Sequence, residues 1–310
     1  MIYTLTLNPA IDKTVVIPSF SPNTVNRIRD VRTDVGGKGI NVSKCLAGLG
    51  CKSTAAAFWG GDAGDRGIRF LEECGIDSLA VRISGQTRTN LKIVDPERKQ
   101  NTDINEPGPF ISPKEQEELL EKLDCRIRAG DILILSGSIP GGIEPTVYRD
   151  LIRRYGDKGT KVFLDADGSC FREGITAAPY LIKPNIDELR AFFGNPLSAL
   201  EEILAAARQL LDMGIREIVV SLGADGAILV NSQGAYRAPG LKVPVKSTVG
   251  AGDSMVAALA YGIQEGIPAP DRLALAVAMS AASVMCSGTQ IPDGSTVTEL
   301  VRQVRIEEVF

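Results

Sequence analysis

The chain has 310 residues, of which 44% are hydrophobic and 23% charged, and its formal net charge is −4. Those values suit a globular protein with a sizeable core, exclude a disordered chain, and argue against nucleic acid as a partner. Histidine is absent, which excludes a Ser-His-Asp triad, a His-ligated zinc and a histidine general base, so acid–base work falls to Asp, Glu, Lys, Tyr or Cys. The opening "MIYTLTLNPAID" alternates like a strand and lacks the features of a signal peptide. No apolar run reaches the roughly 18 residues of a membrane span, so no membrane partner is expected. Six scattered cysteines without a C-x-x-C pair read as reduced thiols, and the expected location is the cytoplasm.

After the first strand, residues 13–35 alternate polar and apolar residues, as do residues 86–106 ("QTRTNLKIVDPERKQNTDIN" and its flanks), with no helix inside either stretch. Such alternation predicts an antiparallel sheet with one wet face. We read the two stretches as one small β-sheet, a lid or dimer surface, made of two excursions from a main domain of residues 1–12, 36–85 and 107–310. Between them "DVGGKGINVSKCLAGLG" (34–50) runs from a glycine-rich turn into a helix.

From residue 107 strands and helices alternate. Ser112, Pro113 and Glu115 have the spacing of a capping box with proline at the first helical position. "DILILSGS" (131–138), "KVFLDA" (161–166), "YLIKPN" (180–185) and "REIVVSLG" (216–223) are short apolar runs ending in turns. "EEILAAARQLLDMG" (201–214) carries a helical stripe that closes on Gly214. The alternation predicts a parallel sheet with helices on both faces.

In "TVGAGDSM" Gly250 and Gly252 allow backbone N–H groups to converge, and a helix starting at about Asp253 adds its free N–H groups and dipole. That is an anion site. An aspartate there, ionised at neutral pH, could accept a proton from a substrate hydroxyl, or it could simply cap the helix. G-x-x-x-x-G-K-[ST] and G-x-G-x-x-G are both absent, and "DADGSCFRE" (165–173) fails the spacing of a calcium loop.

Together the two glycine clusters, with "TLNPAID" (6–12), "TRTN" (87–90), "LSGSIP" (135–140), "KPNIDEL" (183–189) and "SLGADG" (221–226) in order, resemble the PfkB family of carbohydrate kinases. The resemblance covers essentially the whole chain. It implies a ribokinase-like three-layer α/β/α fold with a mostly parallel central sheet and a small β-sheet lid. The activity it implies is an ATP-dependent kinase of a ketohexose monophosphate, with Mg²⁺, in the bacterial sugar-phosphate branch. Fructose 1-phosphate, phosphorylated at O6, is the expected acceptor and tagatose 6-phosphate the alternative. An unphosphorylated sugar or a nucleoside is a further alternative, and a non-catalytic sugar-phosphate sensor is another class.

In the same way the resemblance implies that Asp253 is the catalytic base and that the N–H groups of Gly250, Ala251 and Gly252 form an anion hole. Glu188 acts on Mg²⁺, largely through waters, within an N-x-x-E pattern that starts at Asn185. Lys183, Asn185, Ser221, Gly223 and Gly226 serve the nucleotide. Asp12, Gly37, Lys38, Asn41 and Ser138, with Ser136 nearby, line the acceptor pocket. Arg88 and Arg27, both expected on lid strands, bind the phosphate already on the sugar. The adenine is expected against residues 277–289, where Cys286 stands in place of an asparagine frequent in the family. A homodimer through the lid sheet is expected.

Overall fold

The apolar runs become the centre of a ten-stranded sheet. The structure is a computed structural model and describes residues 1–309. Seven strands are parallel, in the order Asp77–Arg82, Ser53–Trp59, Ile2–Thr6, Ile132–Ser136, Lys161–Asp165, Leu181–Ile182 and Glu217–Ser221. Ala227–Asn231, Gly234–Ala238 and Glu307–Glu308 continue one side antiparallel. The chain builds outward from Ile2–Thr6 in both directions, so the strand order reverses there. Open α/β sheets place ligands beyond the carboxyl ends of the strands at such a reversal.

Successive side chains of the central strands enter opposite cores. Leu133 and Leu135 join one large apolar cluster, and Ile132 and Ile134 join another on the opposite face. Burial on both faces explains why "ILILS" is a continuous apolar run. The second cluster contains the helix Ala251–Gln264, ten of whose fourteen residues are buried. Its small side chains let it sit between the helices Lys38–Gly48 and Ala269–Val284. The capping box at Ser112 and Glu115 forms as its spacing predicts, and the helix Leu200–Asp212 ends just before Gly214.

The small sheet has the order Asp30–Gly36, Ala10–Val16, Arg88–Asp95, Gln100–Ile104. It departs from expectation in three ways. The central pair, Ala10–Val16 with Arg88–Asp95, is parallel, so the sheet is mixed. Both strands leave the main domain at the same junction, Ala10 facing Arg88, and therefore run outward together. The first strand begins at Ala10, which puts Asp12 inside the small sheet. Residues 17–29 are loop, so Arg27 is on no strand. Asp95, buried in the wall of this sheet, accepts backbone N–H groups from Ser19, Phe20, Glu97 and Arg98 and fixes two of its loops.

Candidate active site

The carboxyl ends of five parallel strands converge on a cavity of about 490 Å³. Thr6 closes Ile2–Thr6 and Asn8 follows it, Ser136 closes Ile132–Ser136 and Ser138 follows it, Asp165 closes Lys161–Asp165, Lys183 and Asn185 follow Leu181–Ile182, and Ser221 closes Glu217–Ser221. The opposite wall comes from two helix starts. The helix Lys38–Gly48 begins on Gly37, whose φ of 116° favours glycine. A Cβ on Gly39 would stand 2.5 Å from Thr6 Oγ1 and 3.1 Å from the Leu5 carbonyl oxygen. The glycines thus let this turn lie flat on the end of the first strand, bringing Lys38 and Asn41 into the cavity.

The other helix begins two residues before the expected start, with Gly250 as a left-handed cap at φ 84° and Ala251 as first helical residue. Asp253 is therefore inside the first turn, and it makes no capping bond. It is 7% exposed, and its Oδ2 accepts from Asn41 Nδ2 at 2.8 Å. Burial and the nearby Asp165 push its pKa up to about 6, against Lys38, Asn41 and Lys183, which favour the charged form. It is thus ionised at neutral pH yet poised to take a proton. The Ala251 N–H is engaged by the Thr248 carbonyl at 3.4 Å, and Ala251 does not line the cavity, whereas Gly250 and Gly252 do. A Cβ on Gly252 would lie 3.3 Å from Lys183 Nζ.

Asp165 is 3% exposed and bridges two lysines, with Lys183 Nζ at 3.3 Å and Lys38 Nζ at 3.7 Å. Burial works to raise its pKa, but Lys183 and Lys38 outweigh burial and hold it below the ordinary value. Asp165 in turn holds Lys38 firmly protonated, against the opposing effect of burial. Two fixed positive charges and a helix start thus face one cavity, an arrangement suited to phosphate groups.

Asn185 and Glu188 form a capping box. Glu188 Oε2 accepts from the Asn185 N–H at 2.8 Å, and Asn185 Oδ1 accepts from the Glu188 N–H at 2.8 Å. Both also line the cavity, so the cap and a ligand-facing position coexist. Burial raises the Glu188 pKa. Among the described residues no group of three or more Cys, Asp or Glu side chains gathers as a metal cage. Glu188 lines the cavity with Asp165, Asp167 and Asp253, and a single carboxylate beside bound phosphates fits Mg²⁺, which keeps several waters and leans on substrate phosphates.

A family profile described as pfkB family carbohydrate kinase matches residues 3–295. The chain belongs to that family. A 1-phosphofructokinase of Haemophilus influenzae is 36% identical over 306 residues, spanning 98% of this chain and 97% of its own. The phosphofructokinase-2 of Escherichia coli, crystallised in complex with substrates and products, matches with a TM-score of 0.93 at 29% identity, covering 97% of this chain and 98% of that one. The same Escherichia coli enzyme in its tetrameric inhibited form gives a TM-score of 0.90 at 28% identity over 97% and 98% of the two chains. As pfkB relatives they share the ribokinase-like architecture described above.

Of the residues expected in this kinase's site, Asp253, Gly250, Gly252, Gly37, Lys38, Asn41, Arg88, Ser138, Lys183, Asn185, Ser221 and Glu188 line the cavity. Asp12 lines a second cavity of about 220 Å³ on the small sheet, which meets the first at Val249. Asn90 Nδ2 donates to Asp12 Oδ1 at 2.9 Å there. Gly288 and Thr289, from the segment expected to hold the adenine, line this second cavity. Three of the expected residues, Arg27, Gly223 and Gly226, line neither cavity. Arg27 is exposed on a loop. Gly223 opens a single 3₁₀ turn, Gly223–Asp225, which Gly226 follows. Gly226 is required for packing, because a Cβ there would stand 1.9 Å from the Ala238 carbonyl oxygen. Sequence reasoning missed Thr6, Asn8 and Asp165. The signal for Asp165 was its place at the carboxyl end of an apolar strand.

Among the described residues no helix is long and apolar enough to cross a membrane. All six cysteines are free.

Proposed function

We propose that this kinase transfers the γ-phosphoryl group of ATP to O6 of fructose 1-phosphate, giving fructose 1,6-bisphosphate and ADP. The observation that carries the chemistry is the buried Asp253 carboxylate in the first turn of a helix whose start faces Lys38 and Lys183. The choice of acceptor rests on full-length similarity to 1-phosphofructokinases.

In this reading Asp253, oriented by Asn41, takes the proton of the attacking hydroxyl as its oxygen bonds to phosphorus and the bond to ADP breaks. The N–H groups of Gly250 and Gly252 and the helix start offset charge on the moving phosphoryl. Lys38 and Lys183, held by Asp165, align the polyphosphate, with Asn185 and Ser221 beside it. Mg²⁺ neutralises phosphate charge when bound, with Glu188 as its protein anchor through water. Asp12 accepts hydroxyls of the sugar, and Arg88 and Ser138 receive the phosphate at its far end.

The small sheet serves as lid and as the contact with a second copy of the chain. Val31 and Ile104 expose apolar side chains on it and Val25 and Ile28 on its adjoining loop, and its edges invite pairing. Light scattering that shows a monomer at micromolar concentration would remove this part. Free thiols and phosphorylated substrates suit a cytoplasmic setting.

The deciding experiment is an acceptor panel of fructose 1-phosphate, tagatose 6-phosphate, fructose and a nucleoside, with coupled detection of ADP. The highest kcat/KM is expected on fructose 1-phosphate. Turnover of the nucleoside or free sugar, with none of either ketohexose phosphate, contradicts the proposal.

A further inference from the structure

Asn8 is buried at 3% exposure on the cavity wall, although no chemistry requires it there. Its Nδ2 donates to the Pro107 carbonyl at 3.0 Å and to Ser138 Oγ at 3.4 Å. The amide cannot be reversed, because a carbonyl accepts only, and reversal would set oxygen against oxygen. Its Oδ1 has no hydrogen-bond partner among the described residues and lies against Gly108, where φ is +98° and a Cβ would come within 2.2 Å. The Asn8 backbone carbonyl accepts from Arg88 Nη2 at 3.0 Å, while Arg88 Nη1 donates to the Glu106 carbonyl at 3.0 Å.

Three parts of the fold thus meet at one residue, Pro107 and Ser138 at its side-chain amide and Arg88 at its backbone carbonyl. Pro107 belongs to the segment returning from the small sheet, Ser138 to the loop after a central strand, and Arg88 to the small sheet itself. The carbonyl of Glu106, next to Pro107, carries half of the Arg88 guanidinium. Releasing Pro107 therefore releases the support of Arg88, and it removes the partner of Ser138. The guanidinium still has donors to spare, and its buried Nε has no partner.

We propose that Asn8 is a positioning residue that aims Arg88 and Ser138 at the phosphate-bearing end of the acceptor and so sets selectivity for phosphorylated ketohexoses. This rests on the function proposed above. The hydrogen bonds of Asn8 run to Pro107, Ser138 and Arg88 and not to Asp253, Lys38 or Lys183, so it acts on recognition of the acceptor's far end.

The test is steady-state kinetics of the wild type, Asn8→Ala, Arg88→Ala and the double variant with fructose 1-phosphate, fructose and ATP. Losing the amide's two bonds should raise KM for fructose 1-phosphate about tenfold. Both kcat and KM for ATP should stay within about twofold, and kcat/KM for fructose should not fall. Because Asn8 acts through Arg88, the double variant should be no worse than Arg88→Ala alone, a coupling that distant independent sites do not show. If Asn8→Ala fails to fold, Asn8→Ser, which keeps a small polar group, takes its place in the same comparison. Effects that add in the double variant, or a parallel loss of kcat and of both affinities, overturn the inference alone. A wild type inactive on both ketohexose phosphates overturns the underlying function and the inference with it.

Discussion

Replacing Asp253 by asparagine should destroy turnover and make the protein harder to melt. The carboxylate sits in the cavity floor at 7% exposure, and burial together with Asp165 lifts its pKa from an ordinary 3.8 to about 6. A native pKa above the unfolded one means that the folded state binds the proton more tightly. Below about pH 4 both states are protonated and the group costs nothing. Between about pH 4 and 6 stability falls as pH rises, and above 6 the full cost is present. The gap of about two pH units corresponds to about 3 kcal/mol as an upper bound. Asparagine has the same shape, can still accept the Asn41 N–H through Oδ1, and carries no charge. At pH 7.5 the midpoint of thermal unfolding should rise by several degrees, about 2 °C per kcal/mol for a chain of this size. At pH 4.5 most of that gain should vanish, since wild-type Asp253 is then protonated. Activity at pH 7.5 should drop by at least about a hundredfold, the lower range for losing a general base, while nucleotide binding followed by calorimetry persists. A variant that melts lower than wild type at pH 7.5, or that turns over at the wild-type rate, refutes both the buried charge and its role.

Arg88→Ala should raise KM for fructose 1-phosphate steeply and change KM for fructose little, and equal effects on both would remove it from phosphate recognition. Glu188→Gln preserves the capping box, since glutamine serves at that position, so the melting curve should hold while the Mg²⁺ concentration for half-maximal rate rises by about tenfold or more. An unchanged metal titration would free Glu188 from that task. Gly39→Ala pushes a methyl to 2.5 Å from Thr6 Oγ1 and 3.1 Å from the Leu5 carbonyl oxygen. Overpacking of this kind costs about 1–3 kcal/mol, which chemical denaturation would register as a lower midpoint.

The central strands and their helices were legible because residues buried on both faces leave continuous apolar runs, as in "ILILS" and "EIVVS". The glycine turns were legible for two reasons: 36–39 puts backbone where side chains do not fit, and 250–252 opens on the left-handed φ of Gly250. Asp165 was not, since a lone acid after an apolar strand acquires meaning only when Lys38 and Lys183, 127 and 18 residues away in sequence, close on it. The loop of residues 17–29 mimicked a strand because Val25 and Ile28 are apolar for a reason other than sheet packing; both are exposed. Parallel pairing within the small sheet lay beyond local pattern. It follows from where the chain re-enters, not from residue alternation. Lys44 is equally silent in sequence. It is buried at 4% exposure, its ammonium meets the Val35 carbonyl, the Thr289 hydroxyl and the Phe70 ring, and burial lowers its pKa against the opposing charges of Asp34 and Asp12.

Ala10, Gly36 and Arg88 stand in one row at three of the four crossings between the small sheet and the main domain, the fourth being the return through residues 105–107. Three tethers on a single line, with the fourth to one side, would make that row the axle of any tilt of the sheet. Asp12 and its register partners Asp34 and Asn90 sit two residues beyond the axle, a short lever arm of about 7 Å. A modest turn of the sheet about that row would carry all three together, so that on the function proposed above the sugar's hydroxyls would be gripped in concert.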